Sequence, residues 1–251
     1  MIERIVVFGD SYTYGHGCQD RVFYIDPDTK QVVGQRTPDN FPSEYCWASL
    51  LSKEYNIPVI NLARCGHSNP AMFRDLMNFG IKDNHSKLKT LVLFAGTSPD
   101  RLEASGNRGE LHSWVLSHNW DPAWQGKMDP HLEQYFLAKK MYIMHLYQDE
   151  IGRNIGLMSL LAAKQYCELR GFSFEFSMPM YWYDPDIIKH LQNDTGIIKH
   201  QFLDIQSYDY SGTNNDWANK NIYKCVDNHT NEKGHEVYYQ NIIRPIMDKY
   251  K

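Results

Sequence analysis

Short apolar runs alternate with segments of helical periodicity along most of this chain. Four of the runs are rich in β-branched or aromatic residues and have the length of single strands: residues 4–8, 57–62, 90–95 and 172–176. Runs that are apolar at nearly every position are typical of strands buried on both faces of a parallel sheet. With a short fifth strand expected at 202–205, the alternation predicts an α/β fold with a parallel sheet of about five strands and helices on both faces.

Capping residues indicate where two of the helices begin. Ser43 is predicted to cap a helix that runs through Trp47, Leu50 and Leu51, because these apolar residues recur at helical spacing. Ser68 or Asn69 is predicted to cap the next helix, because Pro70 follows and proline suits the first helical turn.

The second half of the chain contains a long helical pattern over about 136–170, which is either one helix or two. Gly152 and Gly156 are the predicted weak points, since glycine lowers helix stability. Gly171 is the predicted stop signal. A closing helix is predicted over about 231–248.

Two stretches lack a regular period. Residues 15–42 contain several glycines and prolines and predict a polar loop, and loops of that length usually shape a site. Residues 102–135 contain three tryptophans among Pro, Gly and Asp. We interpret them as a lid-like insertion, because they are too few to form a core of their own. The prediction is a single domain over 1–251 with this insertion.

Charge and hydropathy argue against two classes of partner. The chain has 26 lysines and arginines against 30 aspartates and glutamates, for a net charge of −4. Sequence-independent binding to nucleic acid needs a basic surface instead. No apolar run reaches the roughly 18 residues of a membrane span, and no charged and apolar leader precedes the first strand. We expect no nucleic-acid partner, no membrane partner and a cytoplasmic location.

The cysteines are odd in number and widely spaced: Cys18, Cys46, Cys65, Cys167 and Cys225. No Cys-x-x-Cys pair occurs, so the pattern predicts neither a disulfide framework nor a zinc site. The histidines of the 102–135 stretch match no metal-ligand spacing either. We predict reduced thiols, no metal and no cofactor.

The first strand ends on Gly-Asp-Ser at 9–11, where a tight turn would leave the serine hydroxyl at the carboxyl edge of the sheet. Ligands of open α/β sheets bind at that edge. Serine is a weak nucleophile on its own and needs a neighbouring base. His229, near the other end of the chain, is the predicted base for Ser11. Asp227, two residues earlier, is predicted to orient the imidazole.

Acyl transfer also needs donors for the charge that develops on the carbonyl oxygen. The backbone N–H groups of Ser11 and Gly66 are predicted to form this oxyanion hole. Gly66 follows the second strand, and it has no side chain to block the approach of a substrate.

Three blocks of the sequence resemble those of the SGNH (GDSL-type) hydrolases. Residues 9–15, Gly-Asp-Ser-Tyr-Thr-Tyr-Gly, are similar to the block that carries the serine nucleophile. Residues 61–66 are similar to the block with the oxyanion glycine, and residues 227–235 to the block with the aspartate and histidine. The resemblance implies a flavodoxin-like three-layer α/β/α sandwich. It also implies hydrolysis of esters, often acetyl or acyl groups on sugars or lipids.

The chain departs from that family in two places. The family's third block has an asparagine that donates to the oxyanion, whereas this chain has Gly-Thr-Ser-Pro at 96–99. Thr97 or Ser98 is predicted to donate through its hydroxyl, or Asn69 to reach in from the second block. The family's aspartate lies three residues before its histidine, while Asp227 lies two before His229. The Thr-Ser-Pro run is similar to a phage-encoded variant, which would place the chain in a virion or host-cell cytoplasm.

Four residues at this edge are predicted to contact the substrate. Asp10 and His67 flank the nucleophile and the oxyanion glycine, although Asp10 can instead organise the turn by bonding to the backbone. Tyr181 and Trp182 follow the fourth strand. Their rings would form a wall that stacks on a sugar or packs an acyl chain.

The function predicted from the sequence is a serine esterase that removes a small, acetyl-like acyl group from a carbohydrate-like molecule or glycan. A lipid esterase or thioesterase of the same fold is one alternative. A binding or structural protein that keeps the fold without catalysis is another. The absent third-block asparagine favours that last interpretation, and the presence of Ser11 and His229 opposes it. A nucleotide binder is disfavoured, since no glycine-rich phosphate loop follows the first strand.

Overall fold

A parallel sheet forms the centre of the molecule. The computed structural model describes residues 1–18, 20, 23–25, 32–35, 41–84, 86–98, 101–105, 111–115, 130–177 and 229–251. Within them four strands pair in the order β4–β1–β5–β8. They are β1 (Arg4–Phe8), β4 (Val59–Asn61), β5 (Thr90–Ala95) and β8 (Ser173–Ser177). All three pairings are parallel, as predicted. The strand predicted at 202–205 lies outside the described residues.

The two central strands carry the core. Every residue of β1 and β5 is buried, and the two strands pair from Arg4 with Thr90 to Phe8 with Phe94. β4 begins directly after Pro58, whose carbonyl accepts the N–H of Ile5 at 2.9 Å. A proline at that position fits the start of a strand, because it removes a donor where no ladder bond is needed.

Helices cover both faces of the sheet, which confirms the three-layer α/β/α architecture. Ile5 and Val7 of β1 point to one face, and Val6 and Phe8 point to the other. The first face packs against α2 (Trp47–Tyr55) and a C-terminal helical segment. That segment consists of α6 (Glu232–Tyr238), a π-helical turn (Tyr239–Ile243) and α7 (Arg244–Asp248). The second face packs against α3 (Asn69–Lys82) and α5 (Asp149–Arg170).

Two antiparallel hairpins occupy stretches for which the sequence predicted only irregular structure. One joins β2 (Phe23–Ile25) to β3 (Val32–Gln35) inside the predicted loop. The other joins β6 (Arg101–Ser105) to β7 (Leu111–Val115) inside the predicted insertion. Strands of three to five residues repeat the two-residue period too few times for it to be recognised. The prediction of one domain with a lid-like insertion stays a prediction.

The long helical pattern is two helices, α4 (Pro130–His145) and α5, and the break lies at residues 146–148. The prediction of weak points at Gly152 and Gly156 was wrong. Both glycines lie on the buried side of α5, and the helix continues through them. An interior glycine costs only about 1 kcal/mol, so packing overrides it. Gly171 ends α5 in the left-handed conformation, as predicted.

The two predicted caps had different outcomes. Ser68 caps α3 by accepting the N–H of Ala71 at 3.3 Å, which confirms that prediction. Ser43 does not cap a helix, because α2 begins only at Trp47. Its hydroxyl oxygen accepts the N–H of Tyr45 at 3.0 Å and so closes a turn before the helix. In the part of the chain that the structure describes, no helix has the length and apolar character needed to cross a bilayer.

Candidate active site

The predicted nucleophile lies at the carboxyl end of β1. Ser11 is the first residue of the single-turn helix α1 (Ser11–Tyr14). Asp10 caps this helix, because its Oδ1 accepts the N–H of Tyr12 at 3.0 Å. The side chain of Ser11 is largely shielded, with 5% of the residue exposed. Its backbone N–H makes no hydrogen bond within the described residues.

The fold brings the predicted base to this serine from 218 residues away: Nε2 of His229 lies 3.0 Å from Oγ of Ser11. The imidazole packs between two rings, at 5.1 Å from Tyr12 and 4.5 Å from His16, measured between ring centroids. A side chain at Gly17 would lie 2.4 Å from the carbonyl oxygen of Thr230. The loop after α1 therefore contacts the His229 segment at a position where any residue other than glycine would displace the backbone of Thr230.

Gly66 is positioned beside the same turn. The N–H of Arg64 donates to the carbonyl of Gly9 at 3.1 Å, which ties the loop after β4 to the Ser11 turn. Gly66 itself has φ of 78°, and a Cβ built on it would meet nothing within 4 Å. Its N–H has no hydrogen-bond partner among the described residues. As far as the described residues go, both predicted oxyanion amides are therefore available as donors.

Three of the predicted site residues lie outside the described part of the chain. They are Asp227, Tyr181 and Trp182. Their predicted roles, orienting the imidazole and walling the substrate site, remain predictions.

No protein-family model matches the sequence, and no curated protein matches it. Solved structures match the fold. The esterase EstA of Pseudoalteromonas sp. is similar over 99% of this chain and 98% of its own, at 12% identity and a TM-score of 0.50. A protein of Bacteroides fragilis assigned as an acylhydrolase is similar over 99% of this chain and 88% of its own, at 11% identity and a TM-score of 0.50. The chain has the SGNH hydrolase fold. A member of the lipolytic G-D-S-L family from Veillonella parvula matches 96% of each chain, at 12% identity and a TM-score of 0.49.

At the end of β5, the side chains of Thr97 and Asn69 have partners within the protein. The hydroxyl of Thr97 donates to Oδ2 of Asp10 at 2.6 Å, so the prediction that it donates to the oxyanion is not supported. The side chain of Asn69 accepts the N–H of Thr97 at 2.9 Å and donates to its carbonyl at 3.0 Å. Asn69 thus fixes the backbone of Thr97. Ser98 is buried beside them, and its predicted role as a donor stays a prediction.

Asp10 is fully buried and has no exposed surface with which to contact a substrate. The expectation of a substrate contact is therefore corrected in favour of the turn-organising role. Besides the bonds from Tyr12 and Thr97, its Oδ2 lies 2.9 Å from Nη1 of Arg101. Sequence analysis missed Arg101, which is the first residue of β6. The signal was a charged residue just after the Thr-Ser-Pro run at a strand end.

His67 is also buried, at 7% exposure, directly after Gly66. Burial lowers the pKa of His67 from 6.5 to about 4, while the Asp75 carboxylate, 3.6 Å from its Nε2, opposes the shift. The imidazole is therefore neutral at pH 7. A neutral imidazole beside the oxyanion glycine keeps His67 as a candidate for contact with the substrate.

His16 and Cys65 also lie at this edge, and the interpretation of Cys65 as a buried thiol was wrong. Nδ1 of His16 lies 3.4 Å from Sγ of Cys65, and Cys65 is exposed. Cys18, Cys46 and Cys167 are buried free thiols. Among the described residues no group of three or more His, Cys, Asp or Glu side chains is arranged to hold a metal ion.

Proposed function

We propose that this chain is a serine ester hydrolase with Ser11 as nucleophile and His229 as general base. The observation that carries the proposal is the 3.0 Å separation of Ser11 Oγ and His229 Nε2. That distance is within hydrogen-bond reach, which a base needs in order to take the proton of its nucleophile. The pair sits at the carboxyl edge of a parallel sheet, where ligands of such sheets bind.

The reaction follows from the pair. As the Ser11 proton passes to Nε2 of His229, Oγ attacks the ester carbonyl carbon and the carbonyl oxygen becomes an oxyanion. The C–O bond to the alcohol then breaks, and His229 returns the proton to the leaving oxygen. A water molecule attacks the acyl-serine and gives a proton to His229. The collapse of the second intermediate releases the acid, and Oγ recovers its proton.

The backbone amides of Ser11 and Gly66 are the proposed donors to the oxyanion. Both N–H groups lack other partners among the described residues, and Gly66 has open space where a side chain would be. Loss of one such donor typically costs about 10²–10³ in rate. Asp227 stays the proposed partner of His229 on its other ring nitrogen.

The proposed substrate is a small acyl ester of a carbohydrate-like molecule, as the family resemblance suggests. A lipid ester or thioester is the alternative within the same chemistry. The two differ in acyl length, so rates on p-nitrophenyl acetate, butyrate and decanoate, on an acetylated sugar and on an acyl thioester discriminate them. A maximum at acetate, with activity on the acetylated sugar, supports the first. A rise towards decanoate supports the second.

The test of the nucleophile is intact-mass spectrometry after treatment with a fluorophosphonate probe. We expect one adduct on the wild type and none on Ser11→Ala. Ser159→Ala is the matched control, because that hydroxyl is also shielded but bonds to the Ile155 carbonyl within α5, away from the site. It should label as the wild type does.

A non-catalytic binding protein is the second candidate function. The segment after β5 favours this candidate, because the Thr97 hydroxyl donates to Asp10 and is not available to an oxyanion. A folded wild type that takes no adduct and cleaves no ester in the panel would establish this candidate against our proposal.

A further inference from the structure

A buried polar network lies directly behind the proposed nucleophile. Asp10 is its centre, with no exposed surface. Its Oδ1 accepts the N–H of Tyr12, while its Oδ2 receives the hydroxyl of Thr97 at 2.6 Å and faces Nη1 of Arg101 at 2.9 Å. Three strand ends thus converge on one carboxylate, those of β1, β5 and β6. We call these residues, Asp10, Thr97 and Arg101, the Asp10 network.

Arg101 is the unusual member of this network. Its side chain is 9% exposed, and neither its Nε nor its Nη1 makes a hydrogen bond within the described residues, so its contact with Asp10 is an ion pair. A guanidinium stays charged in proteins, and burying it is costly unless it is paired. The contact that offsets this cost runs to the residue immediately before Ser11. The ion pair between Arg101 and Asp10 is therefore what stabilises both charges at this buried place.

We propose that Arg101 is a positioning residue for Ser11, an inference that rests on the proposed function. Its charge compensates the buried carboxylate of Asp10. That carboxylate then holds the first turn of α1, which carries Ser11, against the end of β5. Reacting groups must be held closely, and a misplacement of about 1 Å can cost about 10²-fold in rate. The segment after β5, which lacks the family's asparagine, contributes Thr97 to the contacts that fix the nucleophile.

A different role for Arg101 would be to anchor the β6–β7 hairpin. The hairpin has a second anchor, because Glu103 of β6 pairs with Arg74 of α3. Arg74→Gln therefore removes one anchor of the same strand without touching Asp10. It is the matched control that separates positioning of Ser11 from attachment of the hairpin.

The experiment measures the rate constant of fluorophosphonate labelling, kcat and KM on p-nitrophenyl acetate, and the Tm of each variant. The variants are Arg101→Gln, Arg101→Lys, Arg101→Ala, Asp10→Asn, the double variant Asp10→Asn/Arg101→Gln and Arg74→Gln. Arg101→Ala is also assayed with added guanidinium chloride at a sub-denaturing concentration. Equimolar urea controls for general solvent effects.

We expect Arg101→Gln to lower kcat and the labelling rate by about 10- to 100-fold while KM changes little, since ground-state binding is not removed. Arg101→Lys should retain more activity than Arg101→Gln, because it keeps the charge. Guanidinium, but not urea, should raise the rate of Arg101→Ala. The double variant should be at least as active as the worse single variant, because neither partner is left buried and uncompensated. Arg74→Gln should keep the wild-type kcat.

Three results overturn the inference. The first is labelling of Arg101→Gln at the wild-type rate. The second is a loss of kcat in Arg74→Gln as large as that in Arg101→Gln. The third is a loss in the double variant equal to the product of the two single losses. If Arg101→Gln does not fold, Asp10→Asn and the double variant decide: wild-type labelling by Asp10→Asn overturns the inference, and a double variant that matches or exceeds a slowed Asp10→Asn upholds it. A wild type that takes no adduct instead refutes the proposed function, which is a distinguishable outcome.

Discussion

Each edge of the sheet buries an arginine against an aspartate, and the two pairs are bonded differently. At the amino edge, Arg4 forms two parallel bonds to Asp83, at 2.8 and 2.5 Å. Its guanidinium also donates to the hydroxyl of Thr90 and lies over the ring of Phe79, 5.2 Å from the centroid. At the carboxyl edge, Arg101 faces one oxygen of Asp10.

The difference separates a structural pair from a functional one. The partners of Arg4 are all framework residues, so a bidentate pair there holds the start of β1 and β5 to the end of α3. Asp10 accepts hydrogen bonds from Thr97 and from the turn that carries Ser11, and it forms an ion pair with Arg101. The amino edge should therefore determine stability, and the carboxyl edge should determine reactivity.

The largest expected effect on stability comes from breaking the amino-edge pair. Arg4→Gln leaves Asp83 without its partner in a partly buried place, and breaking such a pair costs about 3–5 kcal/mol. Urea unfolding should show this loss, while the folded protein should label at Ser11 at the wild-type rate. A labelling rate that falls along with stability would contradict the division of roles between the edges.

Acid is expected to act on two buried histidines before it affects the amino-edge pair. Burial lowers the pKa of His235 from 6.5 to about 3 and that of His67 to about 4, so below pH 6.5 the unfolded chain binds protons that the folded chain refuses. Stability contributed by these groups therefore falls as pH drops from about 6.5 towards 4, by a few kcal/mol in total. Bonds from Arg4 lower the pKa of Asp83, whose contribution is lost only below its usual 3.8.

Unfolding in urea at pH 7.5, 6, 5 and 4.5 measures this prediction. His235→Gln keeps an acceptor for the N–H of Trp47. It should reduce the slope of the free energy of unfolding against pH by the equivalent of about one proton. His67→Gln should do the same independently. Asp83→Asn should leave the slope between pH 6.5 and 5 unchanged. A slope that persists in the double histidine variant would show that other groups carry the acid sensitivity.

The elements that form the sheet could be predicted from the sequence because burial on both faces leaves an unmistakable pattern. Val6 and Leu93 point to opposite faces, yet both must be apolar, and this requirement produces the continuous runs of β1 and β5. The hairpins could not be predicted, since strands of three to five residues repeat the two-residue period too few times. The break at residues 146–148 could not be located from glycine, because none of these three residues is a glycine.

Some residues of the site could likewise be predicted from the sequence, and others could not. Ser11 and His229 could be found because each follows a recognisable motif, and the parallel sheet predicts which ends meet. Arg101 could not be found in this way, because nothing in a sequence shows that an arginine after a strand will be buried against a carboxylate. The same holds for Thr97, whose hydroxyl has an equally good partner in Asp10 as in a substrate. Sequence reasoning indicates which groups reach an edge, and packing decides how they pair.

Alanine substitutions at two glycines with nearly the same backbone conformation test the comparison of the edges, with a smaller expected loss of stability. Gly66 has φ of 78° and Gly171 has φ of 70°, and a Cβ added to either would meet nothing within 4 Å. Alanine at either position should cost about 1–2 kcal/mol of stability through backbone strain alone. Gly66→Ala should also lower kcat, by up to about 10²-fold, because the proposed donor amide shifts. Gly171→Ala should keep the wild-type kcat, and equal losses of kcat in both variants would remove Gly66 from the oxyanion hole.

The smallest expected effect on the fold is alkylation of Cys65. This thiol is exposed at the carboxyl edge, whereas burial raises the pKa of Cys167, near the amino edge, to about 12. The thiolate is the reactive form, so iodoacetamide should modify Cys65 first among the four cysteines that the structure describes. Peptide mapping locates the adduct, and Cys65→Ser should remove it. Because the site is exposed, the free energy of unfolding should change by no more than about 0.5 kcal/mol. Modification of Cys167 at a comparable rate would show that the amino edge opens as readily as the carboxyl edge, against the stability assigned to the Arg4 pair.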